Sequence, residues 1–88
     1  MTENPSLMEF PCRFPLKIIG QNTEQFRVDV LKLIYHYFPS TEEKDIVYNA
    51  SQQGTYLSMT ITVLVLDQPT LDALYIQLQK HPEIKMVF

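Results

Sequence analysis

Cysteine is nearly absent: Cys12 is the single one in 88 residues. One thiol cannot close an internal disulfide, so nothing here reads as a secreted disulfide scaffold. Long apolar runs are missing too. The longest, Ile61–Leu66, is short and contains Thr62, far below the roughly 20 residues that span a bilayer. Met1–Ser6 has neither the positive region nor the apolar segment of a signal peptide. Cytoplasmic residence is therefore the default expectation, and no membrane partner is expected. Positive charge is sparse. Seven Lys and Arg against ten Asp and Glu leave a net charge of −3, and the cations stand singly. With no basic patch to neutralise phosphates, nucleic acid is not expected as a partner. No nucleophile, base and orienting group stand together, which points away from an enzyme.

What is present is an alternating run. In Tyr56–Val63, Leu57, Met59, Ile61 and Val63 fall on one side; Tyr56, Ser58, Thr60 and Thr62 fall on the other. Side chains of a strand alternate between faces, so this is a strand with one apolar and one hydroxyl-rich face. It implies an antiparallel sheet covered on one side only. A chain of 88 residues makes one domain and buries only about 60–65% of its unfolded surface. Association with a second copy would help it.

The other elements follow around that strand. Residues 1–13 read as an N-terminal arm and 14–88 as the domain. Phe14–Gly20 is a strand with Phe14, Leu16 and Ile18 on one face and Lys17 and Ile19 on the other. Asn22 is the expected helix cap, with Gln25 reciprocating as in a capping box. Phe26, Val30, Leu31, Ile34 and Phe38 form the apolar stripe, and Pro39 stops the helix. Asp45–Ser51 is a second strand, and Gln52-Gln53-Gly54 a turn whose glycine supplies a positive φ. After the strand Tyr56–Leu66, Asp67 caps a second helix with Pro69 in its first turn. Leu71, Leu74, Tyr75 and Leu78 are its stripe. His81 is expected to cap its end, and Ile84–Phe88 is a last strand. The order βαββαβ is an α+β fold: the ferredoxin-like plait, a four-stranded antiparallel sheet of order 4-1-3-2 with both helices on one face.

Several stretches resemble a known family. Glu9-Phe10-Pro11, Phe14, Lys17 and Gly20-Gln21 resemble the opening of the small bacterial YbeD family. Ser51-Gln52-Gln53-Gly54-Thr55-Tyr56-Leu57-Ser58 with Thr60-Ile61-Thr62, and the ending Met86-Val87-Phe88, resemble it as well. The resemblance covers nearly the whole chain. It implies a protein of unknown function whose plait is ACT-like, the module by which some metabolic enzymes sense small effectors. It also implies an association with lipoate attachment. The family's hairpin usually has Lys before the turn glycine; here that position is Gln53.

The motifs of other plaits fit less well. The hydroxyl face has no aromatic platform for bases beyond Tyr56. Metal-carrying plaits use a CxxC after the first strand, whereas Cys12 stands alone before it. No metal or cofactor is expected. The acylphosphatase-like plait, an enzyme handling acyl or phosphate esters, is the alternative. Gly20-Gln21-Asn22 offers its glycine turn, but Arg27 lies on the helix. His36 reads as a surface residue of the first helix and Cys12 as an inert thiol. Tyr35, Tyr37, Tyr48 and Tyr75 read as packing residues.

The expected function is a non-enzymatic regulatory or adaptor domain. Its expected surface is Gly20, Gln21 and Asn22 with Ser51, Gly54, Tyr56, Ser58, Thr60 and Thr62. The partner is a small-molecule effector or a protein, with a weak homodimer through the second strand's edge or the hydroxyl face.

Overall fold

The computed structural model describes residues 9–88. Along the chain lie β1 (Cys12–Gln21), α1 (Glu24–Tyr37), a 3-10 turn (Glu43–Asp45), β2 (Ile46–Ala50), β3 (Tyr56–Val65), α2 (Gln68–Gln79) and β4 (Ile84–Val87). The strands make one antiparallel sheet in the order β2-β3-β1-β4. This is the expected plait, 4-1-3-2 read from the other edge. The first part of the expected arm, residues 1–8, lies outside the described residues.

The alternation in β3 organises the core. Leu57, Met59, Ile61, Val63 and Val65 are buried with Leu16 and Ile18 of β1. Against them pack Phe26, Val30 and Ile34 of α1 and Leu71, Leu74 and Leu78 of α2. Leu31 was expected in the α1 stripe, but it sits only half-buried at the border of the core. Phe38, just past α1, is buried, and Thr41 follows it inward, its hydroxyl donating to the Phe38 carbonyl at 2.8 Å.

Four details differ from expectation. The first strand begins at Cys12 rather than Phe14, because Cys12 pairs with Val65 and Arg13 with Leu64. Cys12 is therefore a half-buried strand residue, not part of a loop. The cap of α1 is Thr23, whose side chain accepts from the Phe26 N–H at 3.0 Å. Asn22 is drawn away by other partners, and Gln25 donates to Asp29 one turn on instead of closing a capping box. His81 does not cap α2. Its Nε2 lies 2.7 Å from Asp29 Oδ2 on α1, and its Nδ1 accepts from the Glu83 N–H at 3.1 Å. Since Nδ1 accepts, the ring proton is on Nε2 and is donated to Asp29. Finally, Tyr37 and Tyr75 do pack on the core, but Tyr35 and Tyr48 are exposed. Asp67 caps α2 as expected, accepting from the Thr70 N–H at 2.9 Å with Pro69 in the first turn.

Met59 is fully buried at the centre of this sheet. Met59→Asp should lower stability by about 3–5 kcal/mol, because it buries a carboxylate with no partner. Urea unfolding measures it, and an unchanged midpoint would overturn the register.

Candidate functional site

The uncovered side of the sheet is set by register. Thr60 is flanked by Lys17 and Val47, and Ser58 by Ile19 and Asn49. Thr62 faces Pro15, and Tyr56 faces Gln21. Met86 lies opposite Ile19. Lys17 and Phe88 exchange backbone hydrogen bonds, at 3.3 and 2.8 Å, so Phe88 stands on the same side as Lys17. The expected hydroxyl ladder is there, half-buried between its neighbours. It is not the whole surface. Val47 at one edge and Met86 and Phe88 at the other are 57%, 50% and 55% exposed. The open face is a polar centre between two apolar rims.

One end of this face gathers residues from two distant parts of the chain. The hairpin closes by the Ser51 N–H donating to the Tyr56 carbonyl at 2.9 Å. The Ser51 hydroxyl accepts from the Tyr56 N–H at 3.1 Å. Gly54 turns the chain at φ 76°, the left-handed region that glycine enters without strain. The end of β1 meets that turn through Asn22. Its N–H donates to the Thr55 carbonyl and its side-chain amide to the Gly54 carbonyl, each at 3.0 Å. Arg27 of α1 donates to the Asn22 side-chain oxygen at 3.1 Å. Gln21, Asn22, Ser51, Gly54, Tyr56 and Ser58 therefore share one end of the sheet, while Thr60 and Thr62 continue along its middle.

Gly20 belongs to a different environment. It is buried, and a Cβ built on it would lie 2.4 Å from a ring carbon of Phe26 and 2.5 Å from the Glu83 carbonyl oxygen. Its hydrogen is needed for packing, so nothing can approach it from solvent. The neighbouring α1 N-terminus is also occupied. Thr23 caps it and donates its hydroxyl to the Glu83 carboxylate at 2.7 Å, and Glu24 opens the first turn. Two carboxylates repel an anion at that end.

Beside the hairpin the open face dips into a hollow of about 330 Å³, lined by Lys17, Ile19, Asn49, Ser51, Tyr56 and Ser58 among others. A second hollow of about 240 Å³ adjoins it along Ser51–Tyr56. Lys17, Ile19 and Asn49 were not among the expected site residues. Alternation already placed Lys17 and Ile19 on the open side; Asn49 required the β2–β3 register. Two other hollows are less suited to recognition. One of about 230 Å³ lies at Tyr37, Phe38, Leu64, Leu66 and Thr70 and has no cation. Another of about 370 Å³ lies at Asp29, Lys32, Leu33, Lys80 and His81. There His81 and Asp29 are already bonded to each other. His36 is exposed near the end of α1, its ring edge-on to Tyr37 at 4.8 Å between centroids.

Residues 5–88 match the family described as "Protein of unknown function (DUF493)". The chain belongs to the DUF493 family. A UPF0250 protein of Chromobacterium violaceum is 38% identical over 85 residues, covering 97% of this chain and 96% of the relative. One of Nitrosomonas europaea is 38% identical over 87 residues, with 99% of each chain covered. These bacterial relatives bear out the YbeD-like resemblance. Among solved structures, the ACT domain of the GTP pyrophosphokinase of Chlorobium tepidum is similar. Its crystal structure gives a TM-score of 0.66 at 20% identity, covering 88% of this chain and 97% of that domain. The fold of this DUF493 chain is thus that of ACT domains. No helix among its described residues is long and apolar enough to cross a membrane.

Gly20→Ala should destabilise the protein by about 1–3 kcal/mol, since the added methyl overpacks against Phe26 and the Glu83 backbone. Thermal unfolding tests this, and an Ala variant as stable as the parent would contradict the packing.

A second expectation concerns pH. Hydrogen bonds from His81 and then Gln25 hold the Asp29 carboxyl below its ordinary 3.8. A carboxylate with a lowered folded pKa contributes stability above its unfolded value and loses it as pH falls through the folded one. Stability should therefore drop as pH falls below about 4, and Asp29→Asn should flatten that part of the profile. Denaturant midpoints across this range decide it; parallel profiles for both proteins would be the contrary result.

Proposed function

We propose that this protein is a non-catalytic regulatory module that binds a small monocarboxylate effector in the hollow beside the hairpin. The observation that carries the reading is Lys17. Among the described residues it makes no ion pair, and it stands in a hollow otherwise lined by uncharged groups. One ammonium can meet one carboxylate. Asn49, Ser51, Ser58 and the Tyr56 hydroxyl offer neutral hydrogen bonds, and Ile19 an apolar wall. The ACT-like fold supports a sensing role at the level of architecture, and fold alone does not decide function. The association with lipoate carried by the family resemblance makes lipoate a sensible first probe, beside amino acids.

The acylphosphatase-like alternative finds no support in the geometry. Its glycine is sealed under Phe26, and Arg27 is engaged by Asn22. The nearest helix N-terminus faces Glu83.

The test is a thermal-shift screen of small carboxylates. A binder should raise the melting temperature of the parent but not of Lys17→Ala, and its neutral amide analogue should do nothing. Turnover of acyl or phosphate esters is expected to be absent, and Cys12→Ser and His36→Ala should leave ligand response intact. Ester turnover by the purified protein, or a shift that survives Lys17→Ala, would overturn the proposal.

A further inference from the structure

The hollow of about 370 Å³ on the helix side lies where both helices meet the turn into β4. α1 contributes Lys32 and Leu33, α2 contributes Gln77 and its cap Lys80, and the turn contributes His81 and Pro82. It offers little to a monocarboxylate effector, because what sets it apart is a pair of cations. Its one carboxylate, Asp29, is committed. Oδ1 accepts from the Gln25 amide and Oδ2 from His81 Nε2, each at 2.7 Å. His81 is committed as well, since its Nδ1 accepts from the Glu83 N–H at 3.1 Å. The Glu83 carboxylate accepts from the Thr23 hydroxyl at 2.7 Å. The two ammonium groups differ from these. Lys32 and Lys80 are exposed, and among the described residues neither forms an ion pair.

We propose that Lys32 and Lys80 form a second binding site, for a compact dianion: a phosphate monoester or a short dicarboxylate. Each ammonium is a point charge able to meet one anionic oxygen. A pair of them, carried on two packed helices, selects two negative charges over one. Asp29 does not close the site, because both its oxygens are turned to Gln25 and His81 and two cations outnumber it. The end of α2, the negative pole of its dipole, does not close it either. There the Gln77 carbonyl accepts from the Lys80 N–H at 3.2 Å and the Leu78 carbonyl from the His81 N–H at 3.1 Å. The Lys80 ammonium offsets the rest of that pole. The Gln77 amide supplies a neutral donor, and Leu33 and Pro82 supply an apolar floor for the body of the ligand. Exposed charges hold the ligand, so affinity falls as salt rises. A ligand seated there would join α1, α2 and the turn into β4 in one contact. This inference is independent of the effector reading: it uses the helix layer and not the Lys17 hollow on the opposite face of the sheet.

Amide chemical shifts of the isotope-labelled protein, followed by NMR at constant ionic strength, test it. Phenyl phosphate and succinate are the probes, one for each source of the dianion, and acetate is the monoanion control. At least one probe should move the amides of Leu33, Gln77 and His81 saturably, and acetate should not. Saturation by phenyl phosphate alone assigns the site to phosphate esters, and saturation by succinate alone assigns it to dicarboxylates. Lys32→Ala and Lys80→Ala should each weaken the binding about tenfold while leaving the rest of the spectrum as in the parent. Should either variant fail to fold, Lys32→Gln or Lys80→Gln removes the charge and keeps most of the stem. Lys17→Ala should leave these shifts unchanged, so the effector hollow is read separately. No saturation by either probe, an equal response to acetate, or binding undiminished in a folded Lys32 or Lys80 variant would overturn the proposal.

Discussion

The architecture depends on the contact between Phe26 and Gly20. The ring of Phe26 comes so close to the β1 backbone that even a methyl group cannot fit between them. That approach seats the first turn of α1 directly on the end of β1. It also brings in the Glu83 carbonyl, which accepts from the Gln21 N–H at 3.1 Å. One small residue therefore joins the first strand, the first helix and the segment entering β4. The irregularity of β4 against β1 falls at the same place, between Ile19 and Gly20.

From that junction the functional geometry follows. With β1 and α1 locked together, Asn22 emerges at the sheet's end and reaches the hairpin turn of β2 and β3. The helix N-terminus, which in isolation would attract an anion, is closed by Thr23 and faced by Glu83. On our proposal, recognition of the effector falls to the other side of the sheet. There Lys17 is the cation beside the hairpin hollow, and the apolar rims at Val47 and at Met86 with Phe88 border a hydroxyl centre.

Much of this was legible in the sequence because it is local and periodic. The two-residue alternation of Tyr56–Val63 revealed strand, face and core together. Gly54 and Asp67 were readable because turn and cap chemistry act over three or four residues. The misses are of another kind. Asn22 and Thr23 are both competent caps, and only the distant carbonyls of Gly54 and Thr55 decide that Asn22 is used elsewhere. His81 finds Asp29 across 52 positions of chain, which no local pattern reports. Asn49 joins the hollow by register alone. The apolar rim at Met86 and Phe88 is not legible because β4 is too short for its alternation to speak clearly, and the rim at Val47 appears only once β2 is set at the edge of the sheet. Gly20 looked like an open turn because a glycine freed for a bend and a glycine stripped for packing are written with the same letter.

The bridge from Arg27 through Asn22 to Gly54 has a further consequence. Exposed hairpin turns usually open on their own and exchange their amide hydrogens far faster than the core. Here the turn is tied through Asn22 to the first turns of α1, so opening it leaves the amide that Arg27 holds without its Gly54 acceptor. Hairpin and helix start should then protect their amides together, as one cooperative unit. A molecule that stiffens the turn would be felt at the far side of the sheet as slower fraying of α1, with no change in the average shape of either element.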